Sequence, residues 1–157
     1  MWCLCGAVAI MAQPASMSSL QNLPSVGLRV RGLSPDGAKL GLTESGLTET
    51  VRKALENAGV GIVPPPMLER APDIPVVEIS ANLNQVSRTG FLFVLDLQLW
   101  EPAQPVRPLQ TLTKIPVATW VAQDCGYTAK AEKITGSLAA LAEQFAAEWK
   151  PAQKATP

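Results

Sequence analysis

From Ser25 to Leu33, Val26, Leu28 and Val30 fall on one parity and Arg29 and Arg31 on the other, which predicts a strand with one solvated face. Ser34-Pro35-Asp36-Gly37 reads as a turn, with Pro restricting one backbone angle and Gly relieving the last position. Behind Thr43, a good N-cap, Leu47, Val51, Ala54, Leu55 and Ala58 recur at helical spacing, and Gly59 supplies a stop. A helix is predicted over about Glu44 to Ala58, with Gly46 its weak point. Val60 to Val63 reads as a brief strand ended by Pro64-Pro65-Pro66.

Pro64 to Pro75 predicts a rigid, extended spacer. Val77, Ile79, Ala81 and Leu83 then alternate with Glu78, Ser80, Asn82 and Asn84, and Ser87-Arg88-Thr89-Gly90 closes a hairpin. The return strand, Phe91 to Trp100, carries Phe91, Phe93, Leu95, Leu97 and Leu99 on one face, while Leu92 and Val94 make its first half apolar on both. That predicts a central strand covered on both sides near Leu92 and Val94. After a turn at Glu101 to Pro105, Leu109 to Val121 is expected as an edge strand, because Pro116 cannot donate to a ladder. The last element is a helix over about Ala129 to Lys150, capped by Thr128, striped by Ile134, Leu138, Leu141, Phe145 and Trp149, and limited by Pro151.

These elements define an α+β domain over residues 25–150: a mostly antiparallel four- to five-stranded sheet, in the order β-α-β-β-β-β-α, with two helices packed on one face. Residues 16–24 are expected as a linker and 151–157 as a loose tail. At 157 residues the chain holds one core, and 47% apolar against 17% charged residues excludes a disordered chain.

Charge changes the picture at the amino terminus. No Asp, Glu, Lys or Arg precedes Arg29, and Trp2 to Ala12 is an apolar run long enough for a secretory signal core but short of a membrane span. Ala12-Gln13-Pro14-Ala15 offers small residues for cleavage, so residues 1–15 are expected as a targeting segment and the protein as periplasmic or secreted. Cys3 and Cys5 suit an outer-membrane lipoprotein only if the natural start is longer. Removal of the segment leaves Cys125 as the sole thiol, expected to be inert or semi-buried.

Thirteen Lys and Arg balance thirteen Asp and Glu, so no field attracts nucleic acid. Histidine is absent, which removes the usual general base and the commonest metal ligand. Neither metal nor cofactor is implied. Gly32 to Lys39 has the outline of a phosphate loop, but Ala38 stands where Lys is required, and Lys39 itself is followed by Leu40 rather than by the Ser or Thr that would bind magnesium. Glu78, Asp96 and Glu101 are candidates for a hydrolytic carboxylate pair, although no spacing selects them.

Trp100 and Trp120, on neighbouring strands, and Tyr127 are the candidate partner-binding residues, since Trp and Tyr bury large area at small entropy cost. On that reading, alanine at Trp100 or Trp120 weakens partner capture with little change in melting temperature. The competing reading has both tryptophans cover the second face of the sheet or stack within a minor core.

The element order, with its first helix ending Leu55-Glu56-Asn57-Ala58-Gly59-Val60, resembles the TolB amino-terminal domain and related bacterial envelope accessory modules. That resemblance implies protein contacts in the periplasm, often through a sheet edge. The expected role is a non-enzymatic envelope binding or assembly module with a protein partner. The alternatives are a carrier of a small apolar ligand, held between the helices and Phe91 to Leu95, and a carboxylate-dependent hydrolase.

Overall fold

The structure, a computed structural model, describes residues 20–71, 73–103 and 114–154. Its elements are β1 (Ser25–Leu33), α1 (Pro35–Lys39), α2 (Glu44–Ala58), β2 (Gly61–Val63), α3 (Pro65–Leu68), β3 (Val76–Gln85), β4 (Phe91–Ala103), β5 (Ile115–Thr128) and α4 (Ala131–Lys154). The strands form one five-stranded sheet in the order β2-β1-β3-β4-β5. The expected α+β class is correct, but the sheet is mixed: β1 runs parallel to both β2 and β3, while β3, β4 and β5 form an antiparallel meander. Alternation along a strand reports which face is buried, not the direction of its neighbour, so the parallel half left no trace in the pattern.

The two long helices pack on one face of the sheet. Leu47, Val51 and Leu55 of α2 and Ile134, Leu138, Leu141 and Phe145 of α4 meet Val77, Ile79 and Ala81 of β3 and Phe93, Leu95, Leu97 and Leu99 of β4. Helix α2 begins where expected, with the Thr43 hydroxyl accepting from Gly46 N–H at 3.1 Å. It ends at Gly59, whose φ of 91° lies in the left-handed region. A Cβ there would meet no atom within 4 Å, so Gly59→Ala should cost only the backbone strain, about 1–2 kcal/mol, read as a lowered urea midpoint at unchanged slope.

Two connections depart from expectation. Ser34 to Lys39 is a single helical turn rather than a plain turn, and its side chains finish the sheet. Ser34 Oγ accepts from Leu83 N–H at 2.8 Å and donates to Leu83 C=O at 2.9 Å, and Asp36 Oδ2 accepts from Gln85 N–H at 2.8 Å. These groups satisfy β3 where β1 has already turned away. Lys39 and that Gln85 N–H hold the Asp36 carboxyl below its usual range. The Pro-rich connection is not an extended spacer either, because Pro65 to Leu68 form a short helix with Pro at its first positions, where a missing N–H costs nothing. Leu68 sits where a Cβ on Gly27 would stand, 2.3 Å from its Cδ2, so α3 crosses the sheet face opposite the long helices.

The core also extends beyond residues 25–150. Leu20 and Leu23, expected in a linker, are 2% and 3% exposed. Trp149 Nε1 donates to the Leu23 carbonyl at 2.8 Å, and Gln153 Nε2 donates to the Leu20 carbonyl. Helix α4 starts at Ala131 rather than Ala129 and runs past Pro151 to Lys154, with Ala152 fully buried. Pro151 and Ala147 lie on its exposed side, the side of a helix on which a proline is least costly. Thr128 bonds Lys130 N–H ahead of that helix. The expected targeting segment, residues 1–15, lies outside the described residues.

Candidate functional site

The face of the sheet opposite α2 and α4 carries the candidate site. On β4, Leu92, Val94, Asp96, Gln98 and Trp100 point to this side, because Phe93, Leu95, Leu97 and Leu99 point to the core. The register sets Leu92 opposite Tyr127, Val94 opposite Cys125, Asp96 opposite Gln123 and Gln98 opposite Val121. Leu92 is 50% exposed, Val94 43%, Val121 42% and Tyr127 59%. The expectation that Leu92 and Val94 are covered is therefore wrong: they stand in an uncovered apolar group at one end of the meander. Tyr127 leans across the β3–β4 hairpin, so that a Cβ on Gly90 would lie 1.9 Å from its hydroxyl oxygen.

The other end of this face is polar. Glu78 on β3 is 6% exposed and accepts from Arg29 Nη2 at 2.6 Å and Nε at 3.2 Å, with Arg31 Nη1 at 3.5 Å from its other oxygen. Both arginine side chains are more than half exposed, so the pairs contribute on the order of 1 kcal/mol or less. Their effect is positional: they hold the one buried carboxylate of this face between two cations. Arg31, Gly32, Glu78, Ser80, Asn82, Asp96 and Gln98 line a shallow polar depression there. Asp96 accepts from Gln123 Nε2, and Glu101 accepts from Thr119 Oγ1. Thus each carboxylate of the expected hydrolytic set is engaged by a neighbouring side chain, Glu78 by the Arg29 guanidinium.

The three aromatic candidates separate. Trp120 is not at the surface: it is 2% exposed, its ring meets Phe145 edge-on at 5.0 Å, and its Nε1 donates to Glu148 Oε2 at 2.7 Å. Its pairing with core-facing Leu99 is the cause. Leu99 pairs with Trp120 but Trp100 pairs with Ala118, so the two tryptophans lie on opposite faces. Trp100 is on the open face beside Arg29, Glu78 and Pro116, partly buried, with its Nε1 enclosed and unbonded among the described residues. Tyr127 is the one candidate of the three that is largely exposed, and it lies at the far end of β4 from Trp100. Leu92, Val94 and Val121 were missed, although Leu92 and Val94 were visible as the second apolar face of β4.

Cys125 is exposed rather than semi-buried. The expected edge strand Leu109 to Val121 is observed as β5, Ile115–Thr128; residues 104–113 lie outside the described ones. Phe91, Phe93 and Leu95, expected to flank an apolar ligand, are buried in the core with the helices over them. No helix among the described residues is long and apolar enough to cross a membrane.

No protein-family model matches the chain, and no curated protein matches it. Among solved structures it is similar to a PelC dodecamer from Paraburkholderia phytofirmans, at 11% identity over 85% of this chain and 90% of that one, with a TM-score of 0.44. It is also similar to a minor lipoprotein from Acinetobacter baumannii, at 14% identity over 82% and 91%, TM-score 0.36. A third is the rare lipoprotein B from Shewanella oneidensis, at 16% identity over 80% and 91%, TM-score 0.31. None of the three is a TolB protein, and likenesses at this level carry no argument about activity or partner.

Proposed function

We propose that the protein is a non-enzymatic, envelope-associated binding module whose partner is a protein that docks on the open face of the sheet. The observation that carries this reading is the uncovered group Leu92, Val94, Val121 and Tyr127, contributed by two adjacent strands of a rigid meander. Apolar side chains gathered on one patch, with an aromatic at its rim, are the usual composition of a docking hot spot. The envelope assignment rests on the uncharged amino terminus and its apolar run, Trp2 to Ala12. Trp120 has no place in this site, and Trp100 marks the polar end of the same face.

Two measurements test the proposal. Protein recovered from fractionated cells should lie in the envelope fraction and begin at Gln13 or Ser16, or carry added lipid mass; an uncut cytoplasmic chain refutes the location. A photo-crosslinking residue at Leu92 or Tyr127 should capture a partner in cells, whereas one at Glu44, exposed on α2, should not. Tyr127→Ala should weaken that partner's affinity about 10- to 30-fold while changing stability by about 0.5 kcal/mol or less. Equal capture from Leu92, Tyr127 and Glu44 would remove the face from consideration.

A further inference from the structure

The two edges of the sheet differ greatly. At one, β2 offers three residues, Gly61–Val63, followed directly by Pro64, Pro65 and Pro66, which have no N–H to donate. That edge is blunted. At the other, β5 offers fourteen residues, Ile115–Thr128, and no described strand pairs with its outer side. From Trp120 to Thr128 its register with β4 is unbroken, it contains no proline, and its one charge is Asp124. None of the usual guards of an edge, lysine, proline or extreme shortness, protects this stretch.

We propose that β5 is a homotypic interface: it pairs antiparallel with β5 of a second copy of this chain about a two-fold axis, joining the two sheets into one. A second copy fits because the strand is complementary to itself. Isologous pairing satisfies both long edges with one contact, whereas head-to-tail pairing would match β5 against the blunted three-residue β2. Charge excludes the central register of the unbroken stretch Trp120 to Thr128. An axis through Asp124 would set two carboxylates face to face, which is unfavourable directly across a ladder. An axis through Gln123 avoids this, setting Asp124 opposite Ala122 and Val121 opposite Cys125 of the second copy. It also brings the two Val121 and Tyr127 faces side by side, making one wider apolar surface of two.

Sedimentation equilibrium of the full chain tests the interface. Wild type should have the mass of two chains, and Gln123→Lys or Gln123→Glu, each placing like charges on the axis, the mass of one. Gln123 is exposed, so Gln123→Lys, whose cation faces Asp96, should keep the wild-type circular-dichroism spectrum, and Gln123→Glu, which sets a like charge opposite Asp96, is checked by the same spectrum for its fold. An equimolar mixture of the two should restore the two-chain mass. With Cys3 and Cys5 replaced by serine, Val121→Cys should form a disulfide to Cys125 of the second copy, since directly opposed residues meet the geometry of that bond. A wild type that stays monomeric at its highest soluble concentration overturns the proposal, as does association unaffected by charge at Gln123. The docking role of Tyr127 is a separate matter, because a monomer with a working open face would leave it standing.

Discussion

Trp120→Ala should destabilise the protein by about 3–5 kcal/mol, the usual cost of truncating a buried large aromatic. The site has little means to collapse. Trp120 is 2% exposed, its ring is held edge-on by Phe145 of α4, and Glu148 of the same helix accepts its indole N–H. The variant therefore loses transfer energy, an aromatic pair and a charge-assisted hydrogen bond at one point, the place where α4 is fastened to β5. For a chain of this length the melting temperature should fall by about 6–20 °C in a calorimetric scan. Trp120→Phe keeps most of the ring and loses the donor, so it should fall between alanine and wild type. A Trp120→Ala midpoint within about 1 kcal/mol of wild type would show that the residue does not fasten the helix. Trp100→Ala should be far milder, since that ring is only partly buried on the other face.

That contrast shows how much of the site was legible. Reading β5 from its sequence fails because its core-facing set after Trp120 is Ala122, Asp124, Gly126 and Thr128, while its outward set includes Val121 and Tyr127. The outward face is the more apolar one, so alternation assigns the faces backwards. The core side stays small because α4 packs close to it and Phe145 and Trp120 fill the space. The irregularity between Leu99 and Trp100 completes the error: one extra residue inverts every face beyond it, and no turn or glycine signal marks its position. By contrast β3 and the core side of β4 were legible, because Val77 to Leu83 and Phe91 to Leu99 place a large apolar residue at every second position.

Local chemistry was legible where a side chain acts on its own element. Thr43 and Gly59 bound α2 as expected, since cap geometry is decided within one turn. Ser34 and Asp36, expected in a plain turn, instead open a helical turn, and their bonds to Leu83 and Gln85 span 49 positions of sequence. The same separation hid the pairing of Glu78 with Arg29: both were assigned to solvated faces, and only the parallel register of β1 on β3 sets them opposite each other. Long-range parallel pairing is the one relation that alternation cannot encode, and the buried Glu78 depends on it.

The second large effect concerns where the folded unit begins. A chain starting at Ser25 should be less stable by about 3–6 kcal/mol than one starting at Leu20, because Leu20 and Leu23 each bury a side chain worth about 1.5–3 kcal/mol. Their carbonyls also receive Gln153 Nε2 and Trp149 Nε1, which then turn to water. The loss should appear at the carboxyl-terminal end of α4 as well. Ala152 and Gln153 are held past Pro151 by this contact, so its removal should fray residues 151–154 and speed their amide exchange while leaving α2 protected. Leu20→Ala and Leu23→Ala in the longer chain should each reproduce roughly half of the effect. If the two starts gave equal denaturation midpoints and equal exchange at Gln153, the clasp between the segment before β1 and the end of α4 would contribute nothing, and the folded unit would begin at β1.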